Sequence, residues 1–199
     1  MANKIRYGLK NVHYAPITIS EAGAVEYGTP KAFKGAVSLT LDAETGDVTK
    51  FYADDSIYWQ GAGANSGYTG SLEMASGDAR DEFDIDCLGF SKDANGNVVE
   101  NADAQSTAFA LLFEFTGDAT ATRYVVYNCL ATRPALSGST KEDSISPATD
   151  SYDLTASPAE DTRDVQLKCP ASSKSYDKFF EAVVLKDATT TKTTKTTTE

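Results

Sequence analysis

Short runs of alternating apolar and polar residues, separated by turns carrying glycine and aspartate, predict a mainly β protein with sandwich-like layering and one α-helix. Three observations carry that class. The first is a long hairpin from Thr107 to Pro134, TAFALLFEFTGDATATRYVVYNCLATRP, in which two apolar runs flank the polar segment Thr116 to Thr122 with Gly117 and Asp118. The second is a series of further strand-length runs at residues 36–41, 51–59, 68–75, 151–156 and 164–169. The third is that a single stretch, Asp78 to Leu88, best fits a helix of that layered protein. It has Asp78, Asp81 and Glu82 in its first turn, Phe83 and Cys87 four apart, and Gly89 just beyond as the C-cap.

In the central hairpin, successive strand side chains point to opposite sides. Phe109, Leu111, Phe113 and Phe115 therefore share one face, while Ala108, Ala110, Leu112 and Glu114 share the other. In the returning strand Tyr124, Val126 and Leu130 oppose Val125, Tyr127 and Cys129, and neither set is polar. Both faces are expected to be covered, by a second sheet on one side and a helix or neighbouring subunit on the other.

Taken from the N-terminus, Tyr7, Leu9, Val12, Tyr14, Ile17 and Ile19 with Pro16 predict a loosely attached β arm over residues 1–20. Gly28, Thr29 and Pro30 mark a turn, followed by a strand with Val37, Leu39 and Leu41 on its buried face. Phe51 to Ala53 and Ile57 to Trp59 flank Asp54 and Asp55 and predict a protruding aromatic hairpin. The glycine-rich run Gly61 to Gly67 reads as a flexible loop before a strand from Tyr68 to Ala75. Asn95 and Gly96 form a hairpin turn before Val98 and Val99. Beyond Pro134 the chain turns polar to Asp150, then resumes as short strands. Ser173 or Ser175 is expected to cap a short helix carrying Tyr176, Phe179 and Phe180. The folded domain is expected to span residues 1–187, and the threonine-lysine segment 188–199 cannot build a core and is expected to be disordered.

Composition narrows the function. With 199 residues and a formal net charge of −11, the chain has the wrong charge to grip nucleic acid, which needs clustered Lys and Arg. No apolar run approaches the ~20 residues of a membrane span, and residues 1–10 lack the apolar core of a signal peptide, so a soluble cytoplasmic product is expected. Cys87, Cys129 and Cys169 stand far apart without metal-ligand spacing and are expected to be buried free thiols, with one disulfide as the alternative. His13 is the only histidine. The acidic group Asp81, Glu82, Asp84 and Asp86 lacks the glycine and final glutamate of a calcium loop and reads as a solvated helix face. No phosphate loop, dinucleotide fingerprint or serine-hydrolase motif occurs, so no catalytic residue, cofactor or metal is expected.

What calls for explanation is the aromatic group Tyr52, Tyr58, Trp59 and Tyr68. Tyrosine and tryptophan give large, rigid contact area and are enriched at protein interfaces. The candidate subunit interface is therefore Phe51, Tyr52, Asp54, Tyr58, Trp59 and Tyr68.

The runs FALLFEF and TGDATATRYVVYNCLATRPALSGSTK are similar to the hairpin of the major tail proteins of long-tailed bacteriophages, the siphophage tail-tube subunits. KIRYGLKNVHYA, GAVSLTLDAE, FYADDSIYW and GYTGSLEMA carry the resemblance through the rest of residues 1–187. It implies a β-sandwich or half-barrel tail-tube fold with one flanking α-helix and extended arms. It further implies a non-enzymatic structural virion protein that self-assembles into rings, usually hexameric, stacked into a tube through which DNA passes in transit. Implied partners are copies of the chain itself, a tape measure protein, a tail terminator and distal tail proteins. The implied location is the virion tail, assembled in the host bacterial cytoplasm. Two other readings share the residues: the tube of a contractile or secretion-type system, and an adhesive β-sandwich binding carbohydrate through Tyr52, Tyr58 and Trp59. Glycan binding by a monomer would favour the last.

Overall fold

A computed structural model describes residues 6–21, 24–75, 77–136, 138, 140 and 148–186. The extreme N-terminus and the segment 188–199 lie outside the described residues. The elements are β1 (Leu9–Ile19), β2 (Val25–Tyr27), β3 (Lys31–Ala32), β4 (Ala36–Thr45), β5 (Thr49–Ala53), β6 (Ser56–Gly61), β7 (Asn65–Ala75), α1 (Asp78–Cys87), β8 (Ser91–Lys92), β9 (Val98–Val99), β10 (Phe109–Phe115), β11 (Arg123–Ala131), β12 (Thr149–Ala156) and β13 (Gln166–Cys169). Among the described residues nine strands form one antiparallel sheet in the order β2-β1-β10-β11-β12-β7-β4, with β13 pairing β11 and β3 pairing β1. Two small hairpins, β5–β6 and β8–β9, stand apart from it. The fold is mainly β with one flanking helix, as the sequence predicts.

The β10–β11 hairpin lies at the centre, and both its faces are covered. On one face Phe109, Leu111 and Phe113 join Tyr124 and Val126 in the larger core, with Leu72, Met74, Tyr152 and Leu154 from β7 and β12. On the other face Ala110, Leu112, Val125 and Tyr127 pack with Ala159, Cys169 and Phe179. The helix closes the first core: Phe83 is fully buried, its ring 4.5 to 5.2 Å from those of Tyr14, Phe33, Phe109 and Tyr152. Such edge and stacked pairs add about 0.5–1.5 kcal/mol each beyond area burial. The segment after β13 closes the second core.

Several expectations are corrected. β1 is not a loosely attached arm: it pairs along β10 from Leu9↔Phe115 to Pro16↔Phe109, and Val12, Tyr14, Ala15 and Ile17 are buried. Pro16 is tolerated because its missing N–H lies on the strand's outer side, where the partner changes from β3 to β2; its carbonyl there accepts from Gly28 N–H at 2.8 Å. In β4 the pairing with β7 shifts between Ala36 and Ser38, so Val37 turns outward, about half exposed, while Leu39 and Leu41 are partly buried against the core. In β11 a shift near Asn128, whose φ is +48°, carries Cys129 onto the Val126 side and leaves Leu130 outward.

The acidic helix residues divide. Asp81 and Glu82 are exposed. Asp84 is buried and accepts from Tyr152 Oη at 3.0 Å, and Asp86 accepts from Tyr14 Oη at 2.8 Å and Lys31 Nζ at 2.6 Å. Burial raises the Asp84 carboxyl above its usual range, against the opposing pull of Tyr152 and Arg80. These carboxylates tie the helix to the sheet. No helix forms around Tyr176 among the described residues. The segment runs instead as successive turns, Ser173 N–H to Pro170 O, Tyr176 N–H to Ser173 O and Phe179 N–H to Tyr176 O. Arg123 holds it flat: its guanidinium lies 3.9 Å from the Tyr176 ring and 4.8 Å from that of Phe180, donates to Tyr176 O, and pairs with Glu114 at 3.0 Å. Tyr127 Oη donates to Val184 O at 2.6 Å and fastens the far end.

Candidate assembly surface

The β5–β6 hairpin forms as the sequence predicts because two aspartates suit its turn. Asp54 and Asp55 both take left-handed backbone, φ +50° and +57°, the requirement of a two-residue turn whose twist matches the strands. Ser56 Oγ donates to Ala53 O at 3.1 Å and closes it. The strands pair from Thr49↔Gly61 to Ala53↔Ser56, with a bulge that sets Phe51 opposite Trp59 and Tyr52 opposite Ile57.

Nothing in the described chain covers this hairpin. Phe51 is 58% exposed, Tyr52 61%, Ile57 48%, Tyr58 75% and Trp59 56%. The hairpin is the distal end of a longer one, because β4 and β7 on the main sheet lead into β5 and out of β6. The junction is narrow. Gly46 N–H donates to Ala64 O at 3.1 Å, and a Cβ on Gly63 would fall 1.9 Å from Gly46 O, so the two backbones touch where only glycine fits. The expected loop Gly61 to Gly67 is thus shorter than its composition suggests: β7 already begins at Asn65.

The candidate residues therefore fall in two places. Phe51, Tyr52, Asp54, Tyr58 and Trp59 share the hairpin, joined by Ile57, which its place in the strand could have signalled. Tyr68 is apart from them, in β7 between Ala43 and Ala156, half-buried against the main core and lining a groove with Leu39, Leu41, Phe113, Phe115 and Tyr124.

A second surface escaped sequence reading. On the outward side of β4, β7 and β12 three cross-strand rows stand side by side: Ser38, Glu73 and Ser151; Thr40, Ser71 and Asp153; Asp42, Thr69 and Thr155. Every position carries a hydroxyl or a carboxylate, and none a cation. Opposite charges across strands would stabilise such a sheet, so their absence stands out. Glu73 relies instead on hydrogen bonds from Thr149 Oγ1 at 2.6 Å and Ser38 Oγ at 3.0 Å, which hold its carboxyl below the usual range. The signal was present as alternation in residues 150–156, where buried Asp150, Tyr152, Leu154 and Ala156 interleave with exposed Ser151, Asp153 and Thr155. Beyond this face, β4 pairs only with β7 among the described residues, so its other edge has no ladder partner, although β1 lies near it.

No group of three or more His, Cys, Asp or Glu side chains among the described residues is placed to hold a metal. Cys87, Cys129 and Cys169 are free and buried. Burial pushes the Cys129 thiol up to about 12 and that of Cys87 higher still. No helix of the described residues is long and apolar enough to cross a membrane.

No protein-family model matches the chain, and no curated protein sequence matches it. Among solved structures it is similar to the sheath/tube terminator of an extracellular contractile injection system in the extended state, at 13% identity over 80% of this chain and 93% of that one, TM-score 0.47. It is also similar to the tube-terminating cap of the anti-feeding prophage, at 14% identity over 86% and 95%, TM-score 0.45. The sheath-tube complex of an extracellular contractile injection system aligns at 12% identity over 80% and 88%, TM-score 0.46. At these values the likenesses carry no functional argument.

Proposed function

We propose that this chain is the non-enzymatic subunit of a phage-tail-type tube, whose copies close into rings and stack around a channel for DNA. The observation that carries the reading is the β5–β6 hairpin, where five large apolar side chains stand 48 to 75% exposed on a projecting element. Large apolar side chains left exposed on both faces of one projecting element mark a contact with another macromolecule, and an isolated soluble subunit gains nothing from them. The β4 edge without a ladder partner supports the same reading: an unpaired edge is a liability for a monomer and a template for the next subunit in a ring. The cation-free rows on β4, β7 and β12 suit a channel wall. With no Lys or Arg to replace the counterions on its phosphates, DNA slides past such a face without sticking.

The resemblance to siphophage major tail proteins supplies the finer reading. On it the ring is hexameric, the location is the virion tail, assembly takes place in the host bacterial cytoplasm, and the partners are a tape measure protein, a tail terminator and distal tail proteins. Negative-stain microscopy and sedimentation of the purified chain test the proposal. Rings or tubes of uniform diameter are expected. A monomer that stays monodisperse on concentration, above all one that binds glycans through the hairpin, overturns it.

A further inference from the structure

The segment after β13, residues 170–186, covers the smaller core without joining the sheet. Cys169 is the last ladder residue, opposite Arg123, and Pro170 follows with no N–H to extend the pairing. From there the backbone bonds of the described residues run only within the segment, from Ser173 N–H to Pro170 O as far as Ala182 N–H to Lys178 O. Its hydrogen bonds to the rest of the chain come, among the described residues, from two side chains of β11. The Arg123 guanidinium donates to Tyr176 O and lies 3.9 Å from the Tyr176 ring and 4.8 Å from that of Phe180, while Tyr127 Oη donates to Val184 O at 2.6 Å. His13 of β1 adds a ring contact with Phe180 at 4.6 Å. Beneath these fastenings Phe179 is fully buried, and Tyr176, Phe180, Val183 and Val184 are half-buried.

Arg123 is oriented for this contact from its other side. Glu114, opposite it in β10 and only 6% exposed, accepts from Arg123 Nε at 3.0 Å and from Asn11 Nδ2 at 2.5 Å, and lies 3.4 Å from Lys10 Nζ. Asn11 reaches it from the bulge in β1, where its φ is +51°. With Nε engaged by Glu114, the guanidinium plane is fixed and Nη1 is left for Tyr176 O. We propose that residues 170–186 form a strap that opens as one unit, ahead of the rest of the domain, with Arg123 as its latch and Glu114 as the residue that positions the latch. Segments held by few buried apolar side chains and few ladder bonds are those that open sub-globally. Opening uncovers the face built from Ala110, Leu112, Val125 and Tyr127, so the subunit carries an apolar surface that the closed strap conceals. The latch belongs to the single subunit and does not depend on the tube reading.

The cysteines supply the test. Cys169 shares the smaller core with Phe179 and reports on the strap, while Cys87 and Cys129 lie in the larger core and report on the rest of the domain. The full chain is treated with iodoacetamide at pH 8 in denaturant below the unfolding transition, and each thiol is read on its own tryptic peptide by mass spectrometry. Cys169 is expected to label at least about tenfold faster than Cys87 and Cys129, which label together. Arg123→Lys keeps a cation opposite Glu114 but loses the planar stack and the fork, and speeds Cys169 at least about tenfold. Leu72→Val weakens only the larger core; it speeds Cys87 and Cys129 about two- to tenfold and leaves Cys169 at the parent rate, because that core stays intact while the strap is open. One common rate for the three thiols in the parent, or an equal effect of Leu72→Val on all three, overturns the proposal, since the strap then opens only with the domain. A Cys169 rate untouched by Arg123→Lys removes Arg123 as the latch. Immediate labelling of Cys169 in the parent without denaturant shows a strap that is never closed, and overturns the proposal as well.

Discussion

Replacing Tyr58 and Trp59 together by serine separates assembly from folding. In the subunit these side chains hide only about a quarter and a little under half of their surface. Fully burying a large apolar side chain contributes about 1.5–3 kcal/mol, so the pair contributes about 1–2 kcal/mol to the subunit's own stability. Against a total of about 5–15 kcal/mol the variant stays folded, with a melting midpoint lowered by about 2–8 °C. Assembly responds on another scale. Tyrosine and tryptophan at the centre of an interface each cost at least ~2 kcal/mol when truncated, and ~4 kcal/mol for the pair weakens each contact about a thousandfold. Circular dichroism and negative-stain microscopy on one sample read both quantities. The expected outcome is a folded chain that forms no tubes at concentrations where the parent does. A variant that polymerises like the parent would show that the hairpin is not a contact. An unfolded variant would show that these aromatics belong to the core and that the assembly surface lies elsewhere.

Phe113→Ala opens the main core, where the ring is buried and stacked on Tyr124 at 5.4 Å; a loss of ~3–5 kcal/mol is expected in a denaturant titration, and an unchanged midpoint would reverse the assignment of strand faces. Asp118 accepts hydrogen bonds from Thr120 N–H, Thr120 Oγ1 and Thr122 N–H, which lower its carboxyl from an ordinary 3.8 to about 2. Its stabilising contribution is therefore complete above pH 4 and lost as pH falls toward 2, so the stability gap between the parent and Asp118→Asn should close over that window; a gap constant with pH would contradict the linkage. The three thiols are buried, and a thiol-reactive chromogenic disulfide at pH 8 should label none of them until denaturant is added. Rapid labelling of the native chain would show that at least one is accessible.

The central hairpin, the aromatic hairpin and the helix were legible because their signals are local: alternation in residues 109–131, paired aspartates between aromatic runs, and acids ahead of a buried face closed by glycine. The pairing of Asn95 and Gly96 in a turn was legible for the same reason, since Gly96 needs its φ of +90°. Tertiary structure alone decided where each face turns. One-residue register shifts at Val37 and Asn128 reverse which side chains look inward, and a period of two offers no warning of them. It also decided the fate of the charged helix face, because Asp84 and Asp86 meet Tyr152 and Tyr14, 68 and 72 residues away in sequence. The row of Ser38, Glu73 and Ser151 is assembled from three strands, and no single stretch of sequence contains it. Tyr58 and Tyr68 looked like members of one aromatic group along the chain. β7 draws Tyr68 onto the core while the glycine junction carries Tyr58 out into solvent, since the main sheet ends between them.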